Sequence, residues 1–256
     1  MHGPISKEKL KPAFTSLLDS RETERLVMSI DPLAFRSDEN VQAAIVALQD
    51  AVVSFQCVRY SLVEAEAHLA FFGRDNEDNP SPAGLFHAQF YLDDAFLRLP
   101  RAADFVANTL ILYLGVPAKD IRSDEKEPGG LSQRLAGWLA KHLQDSSIAR
   151  AFQRLYESDD WRFVVAHREA WLRGEAIRIQ GTDLAYSLQV GWDLLEPSAS
   201  GDTGSQFKAV PVNPVVRRSQ LEFPLSSLLT RSKGGYNAMV TLLHSVYEDL
   251  ARSAAK

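Results

Sequence analysis

Two long segments with helical periodicity constrain the fold of this 256-residue chain more than any other feature. In the first, from about Asn40 to Phe71, apolar residues recur at three- and four-residue steps, and Asp38 or Ser37 can cap its start. The second runs from about Ala83 to Leu114 and is closed by Gly115. Helices of this length bury their apolar faces by packing along each other, so the sequence predicts a mainly α-helical, antiparallel bundle.

Shorter helices are predicted to complete the bundle. Pro100 is expected to kink or split the second long helix, because proline removes a backbone hydrogen bond. The remaining helical segments are 131–142, 146–156, 159–174 and a C-terminal segment, 221–255, with a break expected at the Ser-Lys-Gly-Gly run 232–235.

The period changes after Gly174. Apolar residues alternate with polar ones on both sides of Gly181-Thr182-Asp183, which predicts a small β-hairpin or β-ribbon before the C-terminal helix. Pro197 to Ser205 is predicted to be a flexible linker too short to separate domains. We therefore expect one domain, 1–256, made of a peripheral lead-in (1–37), a helical core (38–174), the hairpin and linker (175–218) and the C-terminal helix (219–256).

The net charge and the length of the apolar runs indicate the cellular compartment and the classes of partner. The net charge of −5 argues against broad binding to a nucleic-acid backbone, although a local basic site is compatible with it. We find no signal peptide and no apolar run that approaches the roughly 18 residues of a membrane span, so we expect a cytoplasmic protein without membrane contact. The lone Cys57 has no partner for an internal disulfide and is expected to be a small core residue.

Several charged residues are predicted to face inward. On a helical wheel of 159–174, Arg168 lies in the middle of the apolar stripe that contains Trp161, Val164, Val165, Trp171 and Leu172. Arg59 and Glu66 lie on the apolar face of the first long helix, and Asp93 and Asp104 on that of the second. Buried charges need partners of opposite sign, so we expect one polar cluster that joins these helices.

Familiar catalytic and cofactor motifs are absent from the sequence. It has no glycine-rich phosphate loop, no Gly-x-Ser-x-Gly and no His-Glu-x-x-His. Glu64 and His68 form an i,i+4 pair, but a two-metal helical site needs Glu-x-x-His on two helices, and that repeat does not occur. We therefore expect no metal and no cofactor.

An Arg-x4-His pair, Arg162 and His167, follows Trp161 near the start of the last core helix. Together with two long antiparallel helices and two shorter ones, this pair resembles the HEPN superfamily, in particular its larger prokaryotic members. The resemblance implies a HEPN-like homodimer, a metal-independent endoribonuclease of the toxin–antitoxin or phage-defence type. Arg162 would then bind the scissile phosphate and His167 would act as general acid or base, because its pKa lies near neutrality.

The motif also allows a second register. The family often has a polar residue directly after its arginine, whereas Phe163 follows Arg162. If Arg168 is the family arginine, Glu169 occupies the polar position and Arg173 stands where the histidine should be, which removes the catalytic base. The alternative function is then a catalytically inactive HEPN-like module that binds a protein partner or a nucleotide between its helices. A third, more remote alternative is a small-ligand enzyme with a cleft lined by the charged residues Asp93, Arg59 and Glu66.

Overall fold

The computed structural model of the protein describes residues 15–72, 82–121, 130–173, 178–179, 195–197, 207–209 and 222–254. Its described part is mainly helical. The α-helices are α1 (Arg21–Met28), α2 (Glu39–Phe72), α3 (Pro82–Leu114), α4 (Ala118–Ile121), α5 (Leu131–His142), α6 (Ser147–Glu157), α7 (Asp159–Leu172) and α8 (Leu225–Ala254), with a 3-10 helix at Pro32–Phe35.

Helices α2 and α3 form the antiparallel hairpin predicted from their periodicity. Asp38 caps α2 as expected, because its carboxylate accepts hydrogen bonds from the backbone N–H groups of Asn40 and Val41 at 3.1 Å. Gly115, at φ +62°, ends α3 in a Schellman motif in which the Val116 N–H donates to the Ile111 carbonyl at 3.0 Å. The expected split of α3 does not occur: Pro100 lies inside a continuous helix.

Helices α5, α7 and α8 pack against this hairpin, and α6 packs on these three helices. The break expected in the C-terminal helix was a wrong prediction, since α8 runs without interruption through the Ser-Lys-Gly-Gly run. The two glycines allow close helix contact instead. A Cβ atom on Gly234 would overlap the Asp160 carboxylate, and one on Gly235 would lie 2.6 Å from Cγ2 of Val164. Small residues at this crossing let α8 approach the backbone of α7.

The lead-in contributes to the core, whereas the sequence predicted a peripheral segment. Val27 of α1 is fully buried, and Glu24, one turn earlier, is nearly so. The Gln49 side chain of α2 donates a hydrogen bond to the Ile30 carbonyl at 2.9 Å, which fixes the chain after α1 against the bundle. The part of the predicted lead-in that precedes Thr15 lies outside the described residues.

The predicted β-hairpin is not seen. Its turn and second strand, residues 180–194, lie outside the described part, as does most of the linker (198–205). The first strand, β1 (Arg178–Ile179), pairs in parallel with β4 (Glu222–Phe223), which directly precedes α8. A second short pair, β2 (Leu195–Pro197) with β3 (Phe207–Ala209), is antiparallel. The described strands are two or three residues long.

Helix α2 corrects the expectation that no apolar run approaches the length of a membrane span. Among the described residues, Glu39–Phe71 is long and apolar enough to cross a membrane by length and composition alone. Less than half of its most apolar part is buried inside the bundle. One face of α2 forms the core, and apolar residues also occupy part of its outer face. That outer face is considered below.

Candidate functional site

The sequence of α7 determines which of its residues can act together. Ser158 caps the helix by accepting a hydrogen bond from the Trp161 N–H at 3.3 Å. The buried residues Trp161, Val164, His167 and Ala170 recur every three residues and form the face that packs on the bundle. The predicted stripe was wrong at its C-terminal end, because Trp171 and Leu172 are exposed.

His167 is a fully buried core residue. Its Nε2 atom lies 3.0 Å from Oδ1 of Asp93 on α3, and its ring stacks on Phe96 at a centroid distance of 4.0 Å. The same Asp93 oxygen accepts a hydrogen bond from the Gln89 side chain at 2.8 Å. The other ring nitrogen, Nδ1, is buried without a hydrogen-bond partner in the described part of the chain. These contacts pack α7 against α3, and the buried imidazole is not accessible to a substrate at the surface.

Arg162 lies on the opposite side of the same helix. Its side chain is 64% exposed and forms an ion pair with Asp159 one turn earlier. Five helical residues correspond to a rotation of about 140°, so the burial of His167 against the bundle directs Arg162 towards solvent. The structure therefore does not bring the predicted catalytic residues Arg162 and His167 together.

The second register, in which Arg168 is the family arginine, does not place this residue in a described cleft either. Arg168 is half-buried and lies at the edge of the packed face of α7. The helical wheel had placed it at the centre of that face. Arg168 contributes to the electrostatic environment of Tyr156, whose pKa is raised to about 12, mainly by burial. The Tyr156 hydroxyl donates to Ser132 Oγ at 2.9 Å, and Ser132 in turn donates to Asp104. Asp104 therefore caps α5 from a neighbouring helix.

The predicted single charge cluster is instead a set of separate contacts. Asp93 contacts His167, as described above, and Glu66 forms an ion pair with Lys233 of α8. Arg59 forms a third contact, with Glu24 of α1. All three join different helices, so the rule that inward charges need partners is confirmed, while the prediction of one joint cluster was wrong.

The contact around Arg59 is the most extensive of the three. Its guanidinium donates to both carboxylate oxygens of Glu24, at 2.5 and 3.0 Å, and to Ser20 Oγ at 3.1 Å. Ser20 also lies 3.0 Å from the hydroxyl of Tyr236 on α8. Burial raises the pKa of Tyr236, while Ser20 and Arg59 act in the opposite direction. Sequence reasoning missed Glu24, Ser20 and Tyr236, and only Glu24 carried a signal, an acid three residues before the buried Val27.

An open cleft of about 700 Å³ lies beside this contact. It is lined by lead-in and α2 residues (Leu17, Leu18, Asp19, Arg21, Gln56, Arg59, Tyr60, Val63 and Glu64). Its volume is typical of small-ligand pockets. Both arginines are already paired, Arg59 with Glu24 and Arg21 with Asp19 at 2.7 Å. The described walls therefore offer no unpaired arginine or lysine to a phosphate group.

An aromatic and histidine cluster lies at the end of the α2–α3 hairpin where α2 ends and α3 begins. His68 stacks on His87 at 4.5 Å and on Tyr91 at 5.3 Å, and its Nε2 atom lies 3.6 Å from a Glu64 carboxylate oxygen. Burial, followed by the neighbouring His68, lowers the pKa of His87. Among the described residues, no group of three or more His, Cys, Asp or Glu side chains is placed to hold a metal ion.

The surface that we call the outer face is formed by exposed or half-buried residues of α2 and α3 that point away from the core. On α2 these are Val46, Asp50, Val53, Cys57, Tyr60 and Glu64, and on α3 they are Phe90, Asp94, Arg98, Arg101 and Phe105. Val46, Val53 and Tyr60 are 44%, 46% and 59% exposed. Cys57 is half-buried here and is not the core residue that its periodicity suggested.

Comparison with known proteins gives no relative: no family model matches the chain, and neither a curated protein nor a solved structure matches it.

Proposed function

We propose that this protein is a non-catalytic, HEPN-like helical module that binds a protein partner through the outer face of its α2–α3 hairpin. The observation that carries the proposal is the exposed apolar series on α2, in which Val46, Val53 and Tyr60 follow one another at seven-residue steps. A seven-residue apolar repeat keeps one face of a helix directed at a neighbouring helix over several turns. A protein helix is therefore the class of ligand that this surface fits.

Apolar residues also occupy part of the outer side of α2, where Val46, Val53 and Tyr60 are exposed. A helix with this pattern is normally enclosed by other protein or by lipid, because exposed apolar area costs free energy in water. Its inner face is enclosed, with Phe55, Val58 and Leu62 fully buried. The outer face also carries charged side chains, among them Asp50, Arg98 and Arg101, which the hydrocarbon interior of a bilayer does not accommodate. A protein partner therefore fits the outer face better than a bilayer does.

The burial of His167 supports a non-catalytic module over the ribonuclease. A general acid or base must reach the proton that it transfers, and His167 has no exposed surface. Arg162 is accessible but lies on the other side of α7. The cleft does not support the alternative in which the module binds a nucleotide, because Arg59 and Arg21 are already paired with acidic residues. We include a HEPN-like relationship in the proposal because the chain has the long α2–α3 hairpin and a later helix that carries the Arg-x4-His pair.

Site-specific photo-crosslinking tests the binding function. A photoreactive residue replaces Val53 in the full chain, and a matched one replaces Arg154, which is exposed on α6 away from the outer face. In the cells that naturally make the protein, we expect a defined protein adduct from position 53 and none from position 154. Equal adducts from both positions, or adducts to lipid alone, would contradict the proposed function.

A second assay addresses the ribonuclease. The full chain is incubated with single-stranded RNA in the presence of a chelator, alongside an Arg162→Ala variant as the matched control. We expect no cleavage by either protein. If the wild-type chain cleaves RNA and the Arg162→Ala variant does not, the result would support the metal-independent ribonuclease and contradict the non-catalytic module.

A further inference from the structure

The cleft between the lead-in and α2 has one negative charge in excess. The Arg59 guanidinium is held by both carboxylate oxygens of Glu24, and Arg21 is paired with Asp19. A further acid, Glu64, lines the cleft and has no arginine or lysine partner in the described part of the chain. Around the described cleft, three acids therefore face two arginines, and the unbalanced charge is that of Glu64.

Glu64 contacts two side chains of its own helix, and neither carries a permanent positive charge. A Glu64 carboxylate oxygen lies 3.6 Å from Nε2 of His68, and this contact is an ion pair only when the imidazole is protonated. One turn earlier on α2, the negative charge of Glu64 raises the pKa of the Tyr60 hydroxyl, so these two groups lie close together. Whenever His68 is neutral, a positively charged ligand in the cleft would therefore be attracted to Glu64.

Tyr60 contributes an aromatic ring to the same cleft. The residue is 59% exposed and lines the cleft, and its ring packs edge-to-face on Tyr91 of α3 at a centroid distance of 6.4 Å. The face of a tyrosine ring attracts ammonium and guanidinium groups. Tyr60 and Glu64, on successive turns of α2, therefore both favour a ligand with a positive charge.

The size and the apolar walls of the cleft indicate an organic cation. Its volume of about 700 Å³ is far larger than a bare metal ion, and the described residues contain no group of three or more metal-ligating side chains. Leu17, Leu18 and Val63 form an apolar part of the lining. Such walls gain free energy by removing alkyl groups from water. The ligand chemistry that fits the cleft is therefore a positive nitrogen on an alkyl chain.

We propose that this cleft is a binding site for an alkylammonium ion, whose nitrogen contacts the Glu64 carboxylate and the ring of Tyr60. The alkyl chain then lies against the apolar part of the lining. The cleft opens beside the outer face, since Tyr60 and Glu64 belong to both. A free alkylamine and the lysine side chain of another protein are the two sources of this cation. The inference goes beyond the proposed binding function, because the purified chain has this site without a partner on its outer face.

Isothermal titration calorimetry of the full chain with 1,4-diaminobutane tests the proposal, at about pH 8, well above the ordinary pKa of an imidazole. We expect saturable binding below about 10 mM, and none of 1,4-butanediol, a neutral probe of the same length. Glu64→Gln should raise Kd at least about tenfold, and Tyr60→Leu about two- to fivefold. Asp50→Asn is the matched control, because it removes an acid of α2 outside the cleft, and it should leave Kd unchanged. Circular dichroism melts verify that the variants keep the fold.

A capped tripeptide with a central lysine, titrated in the same way, distinguishes the two sources. Tighter binding of the peptide than of the diamine would identify a protein's lysine as the ligand, and the reverse would identify a free alkylamine. The proposal is overturned if neither ammonium probe binds, if the diol binds as tightly as the diamine, or if Glu64→Gln binds as Asp50→Asn does. None of these results affects the crosslinking expected at Val53, so the cleft site and the binding function of the outer face fail separately.

Discussion

Replacing Gly235 with alanine tests how closely α8 packs against α7. The new methyl group would lie 2.6 Å from Cγ2 of Val164, which is fully buried. Overpacking of this kind costs about 1–3 kcal/mol, while glycine to alanine inside a helix gains up to about 1 kcal/mol of propensity. Gly137 of α5 is the matched control, because it is exposed and a Cβ there has no heavy atom within 4 Å.

The difference between the two variants isolates the packing term, since the helix-propensity gain is common to both. We expect Gly137→Ala to stabilise the protein by about 0.5–1 kcal/mol, and Gly235→Ala to fall below it by about 1–3 kcal/mol. Urea denaturation of each purified chain measures both free energies of unfolding. If Gly235→Ala stabilises the protein as much as Gly137→Ala does, α8 does not approach α7 in the manner described.

Three further predictions concern the buried polar contacts. Arg59→Met should destabilise by about 2 kcal/mol in urea denaturation, since it strands the Glu24 carboxylate, and the double change with Glu24→Leu should cost less than Arg59→Met alone. Asp104→Ala should cost about 1–2 kcal/mol by removing the cap that Ser132 donates to, and a melting temperature equal to the wild type's would rule the cap out. Because the pKa of Tyr156 is raised from its ordinary 10.0 to about 12, its stabilising contribution is complete below pH 10 and falls as the pH rises towards 12. Tyr156→Phe should therefore flatten the loss of stability between pH 10 and 12, as followed by circular dichroism at constant urea.

The helices were largely predictable because their signals are local. Asp38, Ser146 and Gly115 cap or end helices as their residue types predict. The interruption expected in α8 was wrong for a tertiary reason. Isolated glycines weaken a helix, but at Gly234 and Gly235 the absence of a side chain permits the contact with α7, and that contact is invisible in the sequence of α8 alone.

The candidate site was less predictable because it depends on partners distant in sequence. The inward direction of Arg59, Glu66 and Asp93 followed from periodicity, but their partners Glu24 and Lys233 lie in segments whose packing the sequence did not reveal. For the Arg-x4-His pair, helical geometry already indicated that its two members have different surroundings. A residue pair five positions apart spans about 140° on a straight helix, so burial of one member directs the other towards solvent.

The first described residues of the chain pack against the middle of α8, and this has a consequence for biosynthesis. The Leu18 N–H donates to Asn237 at 2.8 Å, and Asn237 donates to the Ser16 carbonyl at 3.1 Å. During translation, α1 leaves the ribosome about 200 residues before the part of α8 on which it packs. The segment that contains α1 can therefore form these native contacts only after α8 has been synthesised, and a premature stop before α8 would release a polypeptide that cannot form them.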